Sequence, residues 1–148
     1  LPWGLLILFG GGLSLASSVA QTGLADWIGK SLVVLGGAGT IVLVIVITTL
    51  IAFLTELTSN TATTGTFLPV VAALAIGINV DPLIFALPAT LAASCAFMLP
   101  VATPPNAIVY GSGYIRIAEM VKAGFVLNII GIVILSILAL IVAPAVFN

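Results

Sequence analysis

The sequence predicts an all-α integral membrane protein whose hydrophobic segments are interrupted at two places. Of its 148 residues, 62% are hydrophobic and 5% are charged, whereas a soluble domain carries about 25% charged residues. Apart from Glu56, the charged residues stand at the ends of apolar segments, as they do in proteins with several membrane spans. A polar stretch at 55–66 and a proline-rich stretch at 100–106 each lie inside hydrophobic sequence. These interruptions predict a helical hairpin and a discontinuous helix among the spans.

Composition and charge exclude several classes of function. The formal net charge is −1, and no basic patch is present that could bind nucleic acid. The chain has no histidine and a single cysteine, Cys95, so it offers neither a metal-binding cluster nor a disulfide framework. An intramembrane hydrolase with Ser59 or Ser112 as nucleophile would lack an activating base, because Lys30 and Lys122 both stand at predicted interfaces. The sequence therefore predicts that the chain is not an enzyme.

The first predicted element covers 3–33 and consists of a span followed by an interfacial helix. Trp3 is typical of an interfacial anchor, and the glycines at 10–12 allow another helix to approach the span closely. From 21 to 32, apolar and charged side chains fall on different helical faces, which indicates an amphipathic helix in the interface. The chain starts with Leu1 and Pro2 rather than with a methionine or a basic signal peptide, so we expect a fragment or a processed half of a larger protein.

The segment 38–78 is predicted to form a helical hairpin with its tip at 59–61. β-Branched residues dominate 40–55, a composition that would favour a strand in water, but the length and the lack of alternation favour a helix in lipid. A second apolar arm, 67–78, follows the polar stretch. Because a complete span needs about 20 residues, these short arms favour a re-entrant hairpin over two crossings.

The segment 82–113 is predicted to be one broken helix with an unwound middle at 100–106. Pro82 suits the first helical position, and the apolar run that follows it stops at Pro100. Prolines cannot continue a helix, since each removes a backbone donor and clashes with the preceding turn. Arg116, Glu119 and Lys122 mark an interface, and the apolar run within 122–147 predicts the last span.

Hydrophobic segments with polar interruptions are the best sequence indicator of the binding site in a secondary transporter. A half-helix that begins at membrane depth presents free N–H groups and a positive dipole end, which suit an anion. A half-helix that ends there presents unpaired carbonyl groups, which suit a hard cation such as sodium. No lysine or arginine lies near either interruption, so peptide groups rather than charged side chains are expected to hold the anion.

Three motifs in this chain resemble those of a known transporter family. The run Thr-Glu-Leu-Thr-Ser-Asn-Thr-Ala-Thr at 55–63 resembles the signature of the divalent anion/sodium symporters, which include the di- and tricarboxylate carriers. The run Met-Leu-Pro-Val-Ala-Thr-Pro-Pro-Asn-Ala-Ile-Val at 98–109 is similar to the second signature of that family, and 2–13 is similar to the start of its C-terminal half. The three motifs are collinear, and the resemblance covers essentially the whole chain.

The resemblance implies the C-terminal one of two inverted repeats in an elevator-type carrier, multi-pass in the cell membrane and homodimeric. In that family the carrier moves sodium together with a dicarboxylate or related divalent anion, of the succinate, malate and citrate class. The N-terminal repeat, with the rest of the site, would lie outside this chain. The resemblance implies substrate contacts at Asn60, Thr61, Thr103 and Pro104, and sodium contacts at Thr55, Thr58, Asn60 and Ala102.

Several alternatives are open at the level of sequence. A proton-driven or ATPase-coupled anion permease of the arsenite or sulfate type would share the hairpin plan, and the chain could also be inactive on its own. Asn60 suits a helix N-cap as well as a ligand, and the two roles are compatible. Glu56 has three interpretations: an ion pair with a cation outside this chain, a cap for the hairpin arm, or a protonated acid. The hydroxyl groups of Thr63, Thr64 and Thr66 are expected to bond helix carbonyls.

Overall fold

The computed structural model describes residues 38–147 without a gap, together with isolated positions between 3 and 27. The predicted span and interfacial helix at 3–33 lie outside the continuously described range. Residues 38–147 form the helical unit that carries both interruptions of the hydrophobic sequence.

Residues 38–147 fold into five α-helices and contain no strand. The helices are α1 (Thr40–Leu54), α2 (Asn60–Gly77), α3 (Leu83–Ala92), α4 (Pro104–Gly111) and α5 (Ile117–Phe147). The prediction of an all-α chain is confirmed for this range, including the β-branched run in α1. A helix satisfies its backbone N–H and C=O groups within its own segment, and away from water this outweighs the modest strand preference of β-branched side chains.

Helix α3 packs against α1, α2 and α5, and α1 also packs against α5. Direct contact between α1 and α2 is limited, although only the turn at 55–59 separates them in sequence. The core between these helices is apolar. Its largest fully buried side chains include Phe67 of α2, Phe85 of α3 and Ile47 of α1. The packing of α3 against both α1 and α2 therefore positions the turn that joins them.

The break between α3 and α4 differs from the predicted one. Residues 93–103 are non-helical, whereas the sequence predicted unwinding at 100–106. Helix α4 already includes 104–106, because Pro104 and Pro105 occupy its first turn, where no backbone donor is needed. At the other end, α3 stops at Ala92, well before Pro100. This early end has a tertiary cause, since the carboxylate of Glu56 binds the N–H groups of residues in the break.

Two other boundaries also differ from expectation. The turn between α1 and α2 covers 55–59, so the predicted tip at 59–61 includes the first two residues of α2. Helix α5 begins at Ile117, before the predicted start of the last span at 122. Glu119 lies in its first turn and accepts a hydrogen bond from the N–H of Arg116 (2.9 Å), so these charged residues belong to the beginning of the helix.

Two of the described helices are long and apolar enough to cross a membrane, judged by length and composition. They are α2, with 18 residues and a mean hydropathy of 1.2, and Ile117–Val142 within α5, with 26 residues and a mean hydropathy of 3.0. Helices α1 and α3 are apolar but shorter. Large apolar side chains are exposed along α5, among them Phe125, Ile130 and Ile137, as expected for a helix that faces lipid.

Candidate functional site

The two polar interruptions meet in the folded chain. Thr55, directly after α1, places its hydroxyl 2.7 Å from the carbonyl oxygen of Ala93, the first residue after α3. Glu56, the next residue, accepts hydrogen bonds from three consecutive N–H groups at 97–99. Residues 38 to 43 positions apart in sequence thus form one polar centre, in which Thr55 and Glu56 are both buried.

Thr55 and Asn60, two of the predicted sodium contacts, lie side by side. The hydroxyl oxygen of Thr55 is 2.7 Å from the side-chain oxygen of Asn60 and 2.7 Å from the carbonyl oxygen of Ala93. One hydroxyl hydrogen can serve only one of these two acceptors. A cation among the three oxygens would remove the conflict, as would an Asn60 amide turned so that its NH2 group faces Thr55. The cluster therefore has the oxygen-rich chemistry that a hard cation requires.

The hydroxyl groups of Thr58, Thr63 and Thr64 form hydrogen bonds with groups close to them in sequence. The hydroxyl of Thr58, a predicted sodium contact, donates to the carbonyl oxygen of Leu54 (2.9 Å) and lies 2.5 Å from the hydroxyl of Thr63. The hydroxyl of Thr58 is thus engaged within the hairpin, and its role as a sodium contact stays a prediction. Thr64 donates to the carbonyl oxygen at the start of α2 (2.9 Å), as predicted, whereas Thr63 bonds a hydroxyl instead of a helix carbonyl.

Helix α2 begins with N–H groups that have no acceptor within 38–147. The first hydrogen bond of the helix runs from the N–H of Thr63 to the carbonyl oxygen of Ser59 (2.8 Å). The N–H groups at 60–62 precede it and have no acceptor within the helix. Ser59 is the N-cap and makes no side-chain bond to them, while Asn60 turns its side chain back toward Thr55. The interpretation of Asn60 as the N-cap is therefore wrong, and the helix end is open to an anion.

An open pocket of about 410 Å³ adjoins this helix end. Its lining residues come from α2, from α3 and from the start of the break: Asn60, Thr61, Thr64, Gly65, Thr90 and Ser94. Two of the predicted substrate contacts, Asn60 and Thr61, thus lie at a cavity, whereas the hydroxyl residues Thr64, Thr90 and Ser94 were not predicted. Thr90 lies in the last turns of α3 and Ser94 just after its end, and no motif in the sequence singled them out.

The predicted substrate contacts Thr103 and Pro104 lie at the start of α4. Thr103 is the N-cap and accepts a hydrogen bond from the N–H of Asn106 (3.4 Å). Pro104 and Pro105 have no N–H group, so α4, unlike α2, presents no free donor in its first turn. Neither Thr103 nor Pro104 lines the pocket at α2, and no hydrogen bond within 38–147 links them to Asn60. Their approach to a common substrate stays a prediction.

Asn106 was not predicted as a site residue, yet its side chain holds the break together. Its amide nitrogen donates to the carbonyl oxygens of Ala96 (2.8 Å) and Leu99 (3.1 Å). The N–H of Ala102, the remaining predicted sodium contact, also donates to Leu99 (3.2 Å). Within 38–147, no hydrogen bond joins Ala102 to Asn60, so the prediction that they bind one sodium ion together stays a prediction.

Glu56 is the acidic side chain at the centre of the site and is 3% exposed. Besides the N–H groups at 97–99, it accepts a hydrogen bond from the side-chain amide of Asn128 in α5 (2.8 Å). The basic side chains within 38–147, Arg116 and Lys122, are exposed, so neither accompanies Glu56 in the interior. The contacts match none of the three interpretations in full: Glu56 binds backbone N–H groups as a cap would, but these groups belong to the break rather than to the hairpin arm.

The sequence also matches a family model along almost its whole length. Residues 1–147 match the family described as the sodium:sulfate symporter transmembrane region. The chain belongs to this family. This match confirms the family resemblance seen in the three motifs. Because the family model describes a transmembrane region, the chain is part of a membrane protein.

The curated relatives of this symporter-family chain carry transporter names. SdcS of Staphylococcus saprophyticus, a sodium-dependent dicarboxylate transporter, is 50% identical over 148 residues. The protein of the same name in Staphylococcus aureus strain USA300 is 51% identical over 148 residues. Each match covers 100% of this chain and 28% of the relative, so the chain spans less than a third of the relatives' length. These names agree with the prediction that the chain is not an enzyme.

Proposed function

We propose that this chain supplies half of a carrier site for the sodium-coupled symport of a dicarboxylate or related divalent anion, of the succinate, malate and citrate class. The observation that carries the proposal is the meeting of the turn at 55–59 with the break at 93–103, next to a helix end with unpaired N–H groups. An elevator-type movement of this unit would carry the anion and sodium across the membrane together. The names of the relatives support both the cation and the class of anion.

The start of α2 is the proposed position of one substrate carboxylate. The N–H groups at 60–62 and the positive end of the helix dipole attract a negative group without a lysine or an arginine. Asn60 and Thr61 add side-chain donors at the edge of the pocket. Thr103 would complete the site from the break, because its hydroxyl accepts a backbone hydrogen bond and keeps its own hydrogen for a ligand. Pro104 would add an exposed apolar edge.

The side-chain oxygens of Thr55 and Asn60 are the proposed sodium ligands, with the carbonyl groups of Thr58 and Ala102 completing the shell. One hydroxyl hydrogen cannot serve both acceptors that lie 2.7 Å from Thr55, whereas a cation satisfies all three oxygens at once. A cation bound here would lie close to the anion at the start of α2 and would offset its charge. Binding of each ion would therefore favour binding of the other, which is the coupling that symport requires.

The remaining architecture is proposed from the family. The chain would be the C-terminal one of two inverted repeats, with 38–78 as a re-entrant hairpin, in a multi-pass protein of the cell membrane that forms a homodimer. The N-terminal repeat would supply the rest of the substrate pocket and a second sodium site. The 15 residues of α1 support an arm that does not cross the whole bilayer, since a crossing takes about 20 residues. The other arm, α2, is long and apolar enough to cross, so the re-entrant form rests on α1 and on the family.

Uptake of radiolabelled succinate into vesicles that contain the full-length protein tests this function. We expect uptake to require an inward sodium gradient, and unlabelled sulfate as a competitor would distinguish a sulfate carrier from a dicarboxylate carrier. Asn60→Ala is expected to abolish uptake while expression stays near normal. Uptake that persists in sodium-free buffer under a proton gradient would favour a proton-driven permease instead. Wild-type uptake by Asn60→Ala would refute the assignment of the anion site to the start of α2.

A further inference from the structure

Three consecutive N–H groups of the helix break face a single side chain. Oε1 of Glu56 accepts from Phe97 (2.8 Å) and Met98 (2.9 Å), and Oε2 accepts from Leu99 (3.1 Å). Consecutive N–H groups that converge in this way form a positively polarised concavity, which in many proteins binds a free anion. Here the anion is a side chain of the same protein. The carboxylate thereby satisfies backbone donors that a non-helical chain at membrane depth cannot leave unpaired.

The carboxylate of Glu56 has no room for a cation. With the amide of Asn128 (2.8 Å to Oε1) it accepts from four donors, and the N–H of Met98 reaches both oxygens (3.1 Å to Oε2). These contacts fill the about four lone-pair positions that an ionised carboxylate offers. A sodium ion would have to displace one of these donors and leave it buried without a partner. Glu56 therefore differs from the oxygens of Asn60 and Ala93, which compete for the single hydroxyl hydrogen of Thr55. Peptide and amide dipoles balance the charge of Glu56.

Helix α5 contacts the same segment from another side. A Cβ atom on Gly124 would lie 2.4 Å from the carbonyl oxygen of Phe97 and 2.6 Å from Cα of Met98, so the break packs directly on bare helix backbone at this point. Asn128 is four residues further along α5 and on the same face, where its amide reaches Glu56. The packing at Gly124 and the hydrogen bond from Asn128 are independent contacts, and both hold the break against α5.

We propose that Glu56, Gly124 and Asn128 form a clamp that positions the helix break for transport. Glu56 is a positioning residue rather than an ion ligand: it occupies the anion-attracting N–H groups at 97–99 and leaves those at the start of α2 for the transported anion. The clamp joins the turn at 55–59, the break and α5 into one rigid body. The oxygens of Thr55, Asn60 and Ala93 therefore keep their spacing. The clamp itself rests on the contacts of these residues, and its effect on transport rests on the proposed function.

Hydrogen exchange of the full-length protein in lipid nanodiscs tests the clamp without reference to transport. Glu56→Gln turns an NH2 group toward the backbone donors. We expect the amides at 97–99 to exchange roughly 10- to 100-fold faster than in the wild type, which is the effect of losing a hydrogen bond to a charged acceptor. Glu119→Gln, at the exposed start of α5, is the matched control and should leave these amides unchanged.

Equal protection of 97–99 in Glu56→Gln and in the wild type would overturn the clamp. If Glu56→Gln does not accumulate in the membrane, Asn128→Ala takes its place in the hydrogen-exchange comparison. This variant removes one of the four donors to the carboxylate of Glu56. We expect a smaller rise of the exchange rate at 97–99 in that variant, and an unchanged rate would again overturn the clamp.

A double variant that swaps the acid and the amide between positions 56 and 128 distinguishes the clamp from a general need for a buried negative charge. The double variant Glu56→Gln with Asn128→Asp keeps one carboxylate next to one amide but takes the carboxylate away from 97–99. We expect Glu56→Gln to lower sodium-driven succinate uptake and the double variant to stay equally low. Glu56→Asp, which keeps a carboxylate near 97–99 on a side chain shorter by one methylene, should retain part of the uptake. Full uptake by the double variant with none by Glu56→Asp would overturn the positioning role. Absence of uptake in the wild type would count against the proposed function, and the exchange rates would still decide the clamp.

Discussion

Gly124 of α5 allows a quantitative test of how the helix break is packed. A Cβ atom at this position would lie 2.4, 2.5 and 2.6 Å from backbone atoms of Phe97 and Met98, and real Cβ atoms essentially never approach within 3.0 Å. Contact between carbon atoms is optimal at about 3.5–4.0 Å, so Gly124→Ala requires the break or α5 to move by roughly 1 Å. Since both elements are packed, we expect this movement to destabilise the protein.

The cost of the movement outweighs the gain in helix propensity. Overpacking of a close-packed interior costs about 1–3 kcal/mol. The upper part of that range applies here, because the clashing atoms belong to the backbone and are held by the carboxylate of Glu56. Alanine is favoured over glycine inside a helix by about 1 kcal/mol. We therefore expect Gly124→Ala to lower the free energy of unfolding by about 2 kcal/mol.

Gly131→Ala, in the same helix, is the matched control. Its added Cβ would lie 3.6 Å from Sγ of Cys95, an ordinary van der Waals contact, so its helix propensity should make the protein slightly more stable. Thermal unfolding of the full-length protein in detergent, followed by tryptophan fluorescence at one fixed scan rate, compares both variants with the wild type. If Gly124→Ala unfolds at the same temperature as Gly131→Ala, the close packing of α5 on the break is refuted.

Two further variants test the polar centre. Thr55→Val removes the hydroxyl that lies 2.7 Å from two oxygens, and we expect the sodium concentration for half-maximal uptake to rise about tenfold, equivalent to about 1.4 kcal/mol of ion binding. Thr48→Val is the control, because the Thr48 hydroxyl is equally buried and bonds only its own helix; equal effects of both variants would contradict a sodium role for Thr55. Asn106→Ala removes two hydrogen bonds across the break and should lower the free energy of unfolding by about 1–3 kcal/mol. An unfolding temperature no lower than that of Ser112→Ala, at the far end of α4, would show that the break does not depend on Asn106.

The class of protein and the approximate place of the site follow from local sequence. A chain with 5% charged residues cannot cover a water-facing surface, and a backbone in lipid must satisfy its own hydrogen bonds, so α1 is helical despite its β-branched residues. Polar residues and prolines act on the backbone within a few positions, which is why the motif around Asn60 and Thr61 indicated a helix start with open donors. The family resemblance, rather than local reasoning, grouped Thr55 with Asn60 as sodium contacts, and the two side chains lie 2.7 Å apart.

Only the tertiary structure decided which distant segments complete the site. The break begins at Ala93 rather than at Pro100 because Glu56 binds the N–H groups at 97–99. These residues lie 41 to 43 positions after Glu56 in sequence. Asn128 reaches the same carboxylate across 72 positions, and Gly124 matters for the backbone that it contacts rather than for its own conformation. The sequence alone left three interpretations of Glu56 open, because the role of a buried charge depends on the donors around it, and those donors come from other parts of the chain.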